Sequence, residues 1–234
     1  GDIGAKEYGP KIHEIMKNSD RPAVCLAAVQ CLGKLGWVAA IPDILSELPY
    51  RGREYSKAAV QSLSEMGFAA EPLIKQALQH SETKIWCTAI TVLAGMASST
   101  QTTDFLVDSC KERLANIADS GELVWALHEI GQPKLAALAN TRFSEMRRDI
   151  CEGTWAVLAV FTDHNTVQSI KNAVYSSDSA KREAGLDILA EGLGCRRLSQ
   201  AILQAIDPAN DYEPKQGINP NDILRLSVWN DEWI

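Results

Sequence analysis

The chain has 234 residues, a net charge of -7 and a pI near 5.2, which disfavour a broad nucleic-acid surface or an anionic membrane as partner. Its 46% hydrophobic and 6% aromatic content favours packed helices over a β-sandwich. We expect no signal segment and no membrane span, because no apolar run reaches about 18 residues. Six cysteines without a C-x-x-C pair predict a reduced, cytoplasmic protein.

A leucine recurs along the chain and carries the same local pattern each time. Successive anchor leucines are 31, 30, 34, 31 and 31 residues apart: Leu32, Leu63, Leu93, Leu127, Leu158 and Leu189. Mostly apolar or small residues stand four and three positions before each anchor and three after it, which puts them on one helical face. Gly36, Gly67 and Gly131 follow three anchors by four positions, where a left-handed residue ends a helix. Such a period predicts stacked supersecondary units.

A second apolar row predicts a second helix in each unit. These ladder residues are 32, 30, 32, 32, 32 and 32 residues apart: Ile12, Ile44, Ile74, Leu106, Leu138, Ile170 and Ile202. Pro10, Pro42 and Pro72 stand two positions before the first three, and proline is tolerated in the first turn of a helix. Mostly apolar residues, from Met16 to Ile206, follow the ladder by four positions. Each unit is therefore predicted to be a helical hairpin that buries both rows.

The two rows together resemble a known repeat family. Ala-Val-x-x-Leu-x-x-x-Gly alternates with Ile-Pro-x-Ile-Leu-x-x-Leu, and the clearest copies of the first pattern cover residues 28–32 and 59–63. This alternation resembles HEAT-like repeats of the phycobilisome-lyase type. The resemblance implies an all-α fold, a right-handed α-solenoid of stacked two-helix HEAT-like repeats. For function it implies only that such arrays serve as scaffolds, adaptors and, rarely, enzymes.

The period also predicts the repeat boundaries in a single array over residues 1–234. A half repeat covers 1–18, and further repeats cover about 20–49, 51–80, 82–117, 119–146, 148–176 and 178–228. A loop insertion over 207–221 interrupts the last of these and is either a solvated connector or a binding insertion. Residues 229–234 begin another repeat. Because neither end has the polar cap of a terminal repeat, we expect a fragment of a longer protein.

No residue pattern predicts a catalytic or metal site. The histidines His13, His80, His128 and His164 fall in different repeats and at unrelated register positions. The His128-Glu129 pair is similar to the repeated His-Glu ligands of HEAT-like deoxyhypusine hydroxylases, but no other repeat has it in the same register. We therefore expect a non-enzymatic protein with no cofactor and no metal. Three short basic pairs are expected to lie in solvated turns: Arg51 and Arg53, Arg147 and Arg148, and Arg196 and Arg197.

A row of polar residues is the candidate protein-binding site. The polar row stands two positions after each ladder residue: Glu14, Ser46, Gln76, Asp108, Asn140, Asn172 and Gln204. This position lies about 200° around the helix from the ladder, so the row should face solvent. By resemblance, the second helices line the concave surface, where the row would form a ridge. Exposed helix faces are polar in any case, but this row has no Lys or Arg, and its groups suit docking of a peptide or helix.

The tryptophans divide by register. Trp155 occupies the apolar position three before an anchor and is predicted to be core. Trp125 occupies the next position, which is polar in most other repeats, so it is either a candidate contact residue or a partly shielded surface residue. Trp37 and Phe68 follow anchors by five positions, and both are expected to pack in the turn inside the repeat.

These observations favour a non-enzymatic scaffold or adaptor that binds a protein segment in the concave groove. One alternative is a subunit of a bilin lyase or chaperone complex, by resemblance to bilin lyases. Another is a regulatory array of a larger multidomain protein. The expected partner is a protein or peptide, with no nucleic acid and no membrane, and the oligomeric state is left open.

Overall fold

The computed structural model describes residues 6–97, 100–118 and 120–206, together with Asn219, Pro220 and Ile223. Every regular element in these residues is a helix, so the predicted all-α class is confirmed. The α-helices are α1 Gly9–Asn18, α2 Pro22–Leu35, α3 Ile41–Glu47, α4 Arg53–Met66, α5 Glu71–Ala77, α6 Thr83–Met96, α7 Thr100–Ala118, α8 Ser120–Glu129, α9 Pro133–Phe161, α10 His164–Val174, α11 Ser179–Glu191 and α12 Arg196–Ile206. Short 3-10 helices cover Lys6–Tyr8, Val38–Ala40, Leu48–Tyr50 and Gly67–Ala69.

The helix starts follow the sequence closely in the first repeats. Pro10, Pro42 and Pro72 each lie in the first turn of a helix, at the second residue of α1, α3 and α5. The missing proline N–H has no partner in the first turn of any helix, so nothing is lost there. Later helices use carboxylate caps instead. Asp163 accepts a hydrogen bond from the Thr166 N–H at 2.8 Å at the start of α10.

The helices form two compact units, residues 1–106 and 107–234. In the first unit α1 packs on α2, α2 on α4 and α4 on α6, while α3 packs on α5 and α5 on α6. In the second unit α8 packs on α9, α9 on α10 and α12, and α11 on α10 and α12. First helices therefore stack on first helices in residues 1–106, as hairpin repeats require. The single array over 1–234 stays a prediction, and 229–234 and most of 207–221 lie outside the described residues.

The anchor and ladder rows supply the core. Five of the six anchors are at most 1% exposed: Leu32, Leu63, Leu93, Leu158 and Leu189. Five ladder residues are also buried: Ile44, Ile74, Leu106, Ile170 and Ile202. Ile12 and Leu127 are half-buried. Because burying one such side chain stabilises the fold by about 1.5 to 3 kcal/mol, the two rows make a substantial contribution to the apolar stabilisation, together with other buried residues such as Ile41, Trp86 and Ile150.

Two of the predicted glycine helix ends are confirmed in detail. Gly36 has φ 63° and ψ 36°, the left-handed conformation, and its N–H donates to the Gly33 carbonyl at 2.9 Å. The next N–H, of Trp37, donates to the carbonyl of the anchor Leu32 at 3.0 Å. This pair of bonds satisfies carbonyls that the helix leaves free. The same pair closes α8, where Gly131 has φ 76°: Gly131 to His128 at 3.1 Å, and Gln132 to the anchor Leu127 at 2.9 Å.

The turn after α4 differs, and it changes the position of the next aromatic residue. Gly67 has φ 65° and ψ -153°, a positive φ outside the left-handed helical region. Trp37 is half-buried and packs on α1, since a Cβ built on Gly9 would lie 2.6 Å from its ring. This contact is with the preceding half repeat, whereas the prediction placed Trp37 in the turn inside its own repeat. Phe68 is 67% exposed, so its predicted packing is wrong; the different Gly67 conformation sends the chain out of the turn in another direction. Trp155 is buried, as predicted.

Helices α2 and α4 approach each other very closely at Gly33. A Cβ added there would lie 2.5 Å from the Ser62 Cα and 2.6 Å from the Ser62 Cβ. Only a residue without a side chain fits at this distance. The Ser62 hydroxyl is buried at the same contact and has no hydrogen-bond partner in the described part of the chain.

The turn predicted between repeats 119–146 and 148–176 is absent. Helix α9 runs without a break from Pro133 to Phe161, 29 residues in all. It joins the second helix of one predicted repeat to the first helix of the next. Residues 135–152 contain no glycine and no proline, so the sequence has nothing there that ends a helix.

The continuous helix overturns two predicted burials. Leu138, a ladder residue, is 68% exposed, and Arg142, at the usually apolar position four residues later, is also exposed. Leu138 stands 20 residues before the buried anchor Leu158. At about 100° per residue, two positions 20 apart in one helix point about 200° away from each other. The buried face therefore continues through Ala136 and Phe143, on the side opposite Leu138.

Candidate functional site

The polar row faces solvent, as its register predicts. All seven residues are exposed, and they lie on α1, α3, α5, α7, α9, α10 and α12: Glu14, Ser46, Gln76, Asp108, Asn140, Asn172 and Gln204. The ladder residue two positions earlier is buried in α3, α5, α7, α10 and α12. A buried ladder fixes the rotation of each of these helices and thereby the direction of the row. That the row binds a protein stays a prediction.

In residues 1–106 the row is bordered by a small charge cluster. The Asp43 carboxylate on α3 lies 2.7 Å from His13 Nε2 and 3.3 Å from Lys17 Nζ, both on α1. The Ser46 hydroxyl donates to the Asp43 main-chain carbonyl at 3.0 Å. Asp43 thus ties two second helices together beside the row. Its negative charge is partly balanced by Lys17, so the row in this unit consists of the neutral Ser46 and Gln76 and the acidic Glu14.

In residues 107–234 two members of the row already have partners. The Asp108 carboxylate pairs with the Arg197 guanidinium of α12. The Asn172 side-chain oxygen accepts a hydrogen bond from Gln168 Nε2 at 2.9 Å. Both contacts are exposed, and exposed ion pairs contribute only about 0 to 1 kcal/mol. A bound segment could therefore replace them at small cost.

Trp125 lies on α8 and is half-buried. Trp125 has an interaction within the chain, so it is not a free side chain. Its role as a contact residue stays a prediction. The exposed side chains His128 and Glu129 follow it at the end of the same helix.

Among the described residues, no three or more His, Cys, Asp or Glu side chains lie close enough together to hold a metal ion. In the same part of the chain, no helix has the length and apolar character needed to cross a membrane.

The ionisable groups with the largest pKa shifts are not members of the polar row. Burial raises the pKa of the Cys151 thiol from 9.0 to about 12, and burial also raises the pKa of the Tyr175 phenol to about 12. Burial likewise raises the pKa of Tyr55. A nucleophilic thiol needs a lowered pKa, so Cys151 has the properties of a core residue. These shifts describe packing rather than a reactive site.

A small cleft opens in the second unit near the end of α10. Its volume is about 210 Å³, and it is lined by Val174, Tyr175, Ser176, Arg182, Leu186 and Ile206. Pockets for drug-sized ligands measure about 300 to 1,000 Å³. This cleft is therefore too small to enclose a ligand of that size.

One comparison with known proteins supports the resemblance over a single repeat. The model of the PBS lyase HEAT-like repeat matches residues 24–48, which hold most of α2, the Gly36 turn and α3. Residues 24–48 are therefore similar to a HEAT-like repeat, as the sequence predicts. The matched segment is the first complete repeat, whose anchor Leu32 and ladder residue Ile44 are fully buried. Searches of curated proteins and of solved structures found no match.

Several features around the polar row were not predicted from sequence. Two side-chain pairs join distant parts of the chain: Asp43 and His13 are 30 positions apart, and Asp108 and Arg197 are 89 positions apart. No rule of sequence spacing predicts such contacts. The exposure of Leu138 could have been predicted from the sequence. Residues 135–152 contain no helix breaker, and in one continuous helix the 20-residue interval to Leu158 places Leu138 on the opposite side.

Proposed function

We propose that this protein is a non-enzymatic scaffold or adaptor that binds a protein segment along the polar row. The observation that carries the proposal is the exposure of all seven row residues on helices whose ladder residues are mostly buried. Amide, hydroxyl and carboxyl side chains offer both donors and acceptors to the main chain of a segment. The row thus has the chemistry needed to bind an extended or helical peptide.

The fixed backbone beneath the row supports binding. In the first unit, Ile44 and Ile74 are fully buried under Ser46 and Gln76, and Asp43 joins α3 to α1 through His13. A surface that is already ordered loses less conformational entropy when a partner binds. Affinity for a segment can then come from several modest hydrogen bonds.

The charges beside the row point to specificity by hydrogen bonding rather than by strong electrostatic attraction. Asp43 is next to Lys17, and Asp108 is paired with Arg197. Added positive charge along the row should therefore disturb binding more than the same charge placed elsewhere. This expectation gives a direct test.

The test is affinity capture from the source cells with a triple variant, Gln76→Lys, Asn140→Lys and Asn172→Lys. Asp108 is left unchanged so that its pair with Arg197 persists. The matched control carries Gln30→Lys, Gln61→Lys and Ala184→Lys, which add the same charge at exposed positions of α2, α4 and α11.

We expect a partner to be retained by the native chain and the control and lost by the row variant. A photo-crosslinking residue at position 76 should then join the chain to one segment of that partner, and the same residue at position 30 should not. A partner retained equally by all three proteins would contradict the proposal and move binding away from the row.

A second candidate, a subunit of a bilin lyase or chaperone complex, is favoured only by the description of the matched repeat. The 210 Å³ cleft gives it little support, because that volume is small for a drug-sized ligand. Mixing the protein with a free linear tetrapyrrole distinguishes the two functions. We expect an unchanged absorption spectrum, whereas a saturable shift of the visible bands would favour the pigment function.

A further inference from the structure

The first half of α9 exposes an apolar surface that the other repeats bury. Leu138 is 68% exposed and Leu135 is 51% exposed, and the two lie one turn apart on the same helix. We call Lys134, Leu135, Leu138 and Arg142 the α9 face. At about 100° per residue, all four fall within one third of the helix circumference.

The register shows that this face is a departure from the repeat rather than an ordinary exposed leucine. Ladder residues in the neighbouring hairpins are buried, Leu106 fully and Ile170 to 7% exposure. Four positions after the ladder, Cys110 and Val174 are buried where this repeat has the exposed Arg142. The continuous helix turns the ladder position to solvent, and its packed side is occupied by Ala136 and Phe143.

The charges around the two leucines specify the chemistry of a partner. Lys134 stands four positions before Leu138 and Arg142 stands four positions after it, both exposed. Arg142 also forms a long, exposed ion pair with Glu145, at 3.8 Å, one turn further along the helix. No acidic residue occurs between Glu129 and Glu145 in a chain whose net charge is -7. The positive end of the helix dipole at Pro133 adds to this local field. An apolar pair between two cations complements apolar residues flanked by carboxylates.

We propose that the α9 face is a docking site for a short amphipathic helix of another protein. The apolar stripe of that helix packs on Leu135 and Leu138. Its Asp or Glu side chains pair with Lys134 and with Arg142, where they replace the long, exposed contact to Glu145, a kind of ion pair that contributes little to stability. A helix that lies along another helix presents anchors at positions i, i+3, i+4 and i+7. This site goes beyond the polar row, because Asn140 points about 200° away from Leu138 on the same helix.

The experiment is a display selection against the whole chain. The library contains peptides of about four helical turns, with a fixed leucine stripe and randomised charged positions. We expect selected peptides to be enriched in Asp and Glu beside the stripe. Binding of a selected peptide should weaken by about tenfold or more in Leu138→Ser and in Arg142→Glu. A basic peptide should gain affinity for the Arg142→Glu protein.

Two control variants separate this site from other surfaces. Ile188→Ser removes an exposed apolar residue of α11, and Asn172→Lys changes the polar row; both should leave peptide binding unchanged. Selection without acidic enrichment, or equal binding to the native and Leu138→Ser proteins, would overturn the proposal. Displacement of the selected peptide by a single-stranded oligonucleotide would also overturn the proposal and would favour a nucleic-acid ligand. These outcomes leave the capture test of the polar row unaffected.

Discussion

Gly33→Ala should destabilise the first unit because the added methyl group has no space. The new Cβ would lie 2.5 Å from the Ser62 Cα, which belongs to the backbone of α4, and 2.9 Å from the Ser62 hydroxyl oxygen. A rotamer change cannot relieve the backbone contact, so α2 and α4 must move apart. Overpacking of this kind costs about 1 to 3 kcal/mol, and alanine recovers about 0.5 to 1 kcal/mol over glycine in a helix. Taking the middle of each range, we expect a net loss of about 1 kcal/mol in the free energy of unfolding.

The assay is urea unfolding followed by far-UV circular dichroism, with midpoints and slopes compared between variants. Gly95→Ala is the matched control, because Gly95 lies near the end of α6, is exposed and has no atom within 4 Å of a built Cβ. It should gain about 0.5 to 1 kcal/mol from helix propensity alone. If Gly33→Ala were as stable as Gly95→Ala, the close approach of α2 and α4 would be refuted.

Three other perturbations test the core and its exceptions. Leu106→Ala should cost about 2 to 5 kcal/mol because its side chain is buried, whereas the same change at the exposed Leu138 should cost less than about 0.5 kcal/mol in urea unfolding. Ser62→Ala should raise the unfolding free energy by about 1 kcal/mol, because it removes a buried hydroxyl without a partner; a loss of stability would reveal a hidden hydrogen bond. The pKa of Cys151 is raised from 9.0 to about 12 by burial, so the folded chain keeps a proton that the unfolded chain loses. Stability should therefore fall as the pH rises from about 9 towards about 12, and at pH 8 a thiol reagent should modify the exposed Cys31 far faster than Cys151.

Sequence was most informative where structure depends on neighbours in the chain. The Gly36 turn follows from a glycine placed four residues after an anchor, and both of its hydrogen bonds are made within six residues. The proline starts of α3 and α5 are equally local. Even so, Gly67 occupies the same register as Gly36 and adopts a different ψ. Glycine permits both conformations, so the sequence position alone predicts a turn but not its exit direction.

Sequence was least informative about contacts between helices. The exposure of the polar row could be derived from helical geometry, because a position two residues after a buried one lies on the opposite side of the helix, which faces solvent when only one side is packed. The partner of Asp108 could not, since Arg197 lies 89 residues away and its own register gives no sign of the pair. The fit of Gly33 against Ser62 was missed for the same reason. Both depend on where two separate helices cross.

Leu138 shows why a regular period does not by itself fix which side chains are buried. The interval from a ladder residue to the next anchor is 19 residues from Ile44 to Leu63 and 20 from Leu138 to Leu158. In the first case Pro49 and Gly52 stand between the two helices, so each helix can rotate until its own apolar face is buried.

No such break separates Leu138 from Leu158, and one rigid helix must satisfy both positions. More buried residues lie near the anchor Leu158 than near Leu138, because Cys151, Trp155 and Val157 are buried on the same segment. Burial of this segment therefore sets the rotation of the whole helix. The ladder residue is then forced outward by geometry, although leucine is apolar. One cause, the missing helix breaker, therefore removes a repeat boundary and creates the exposed leucines of the α9 face.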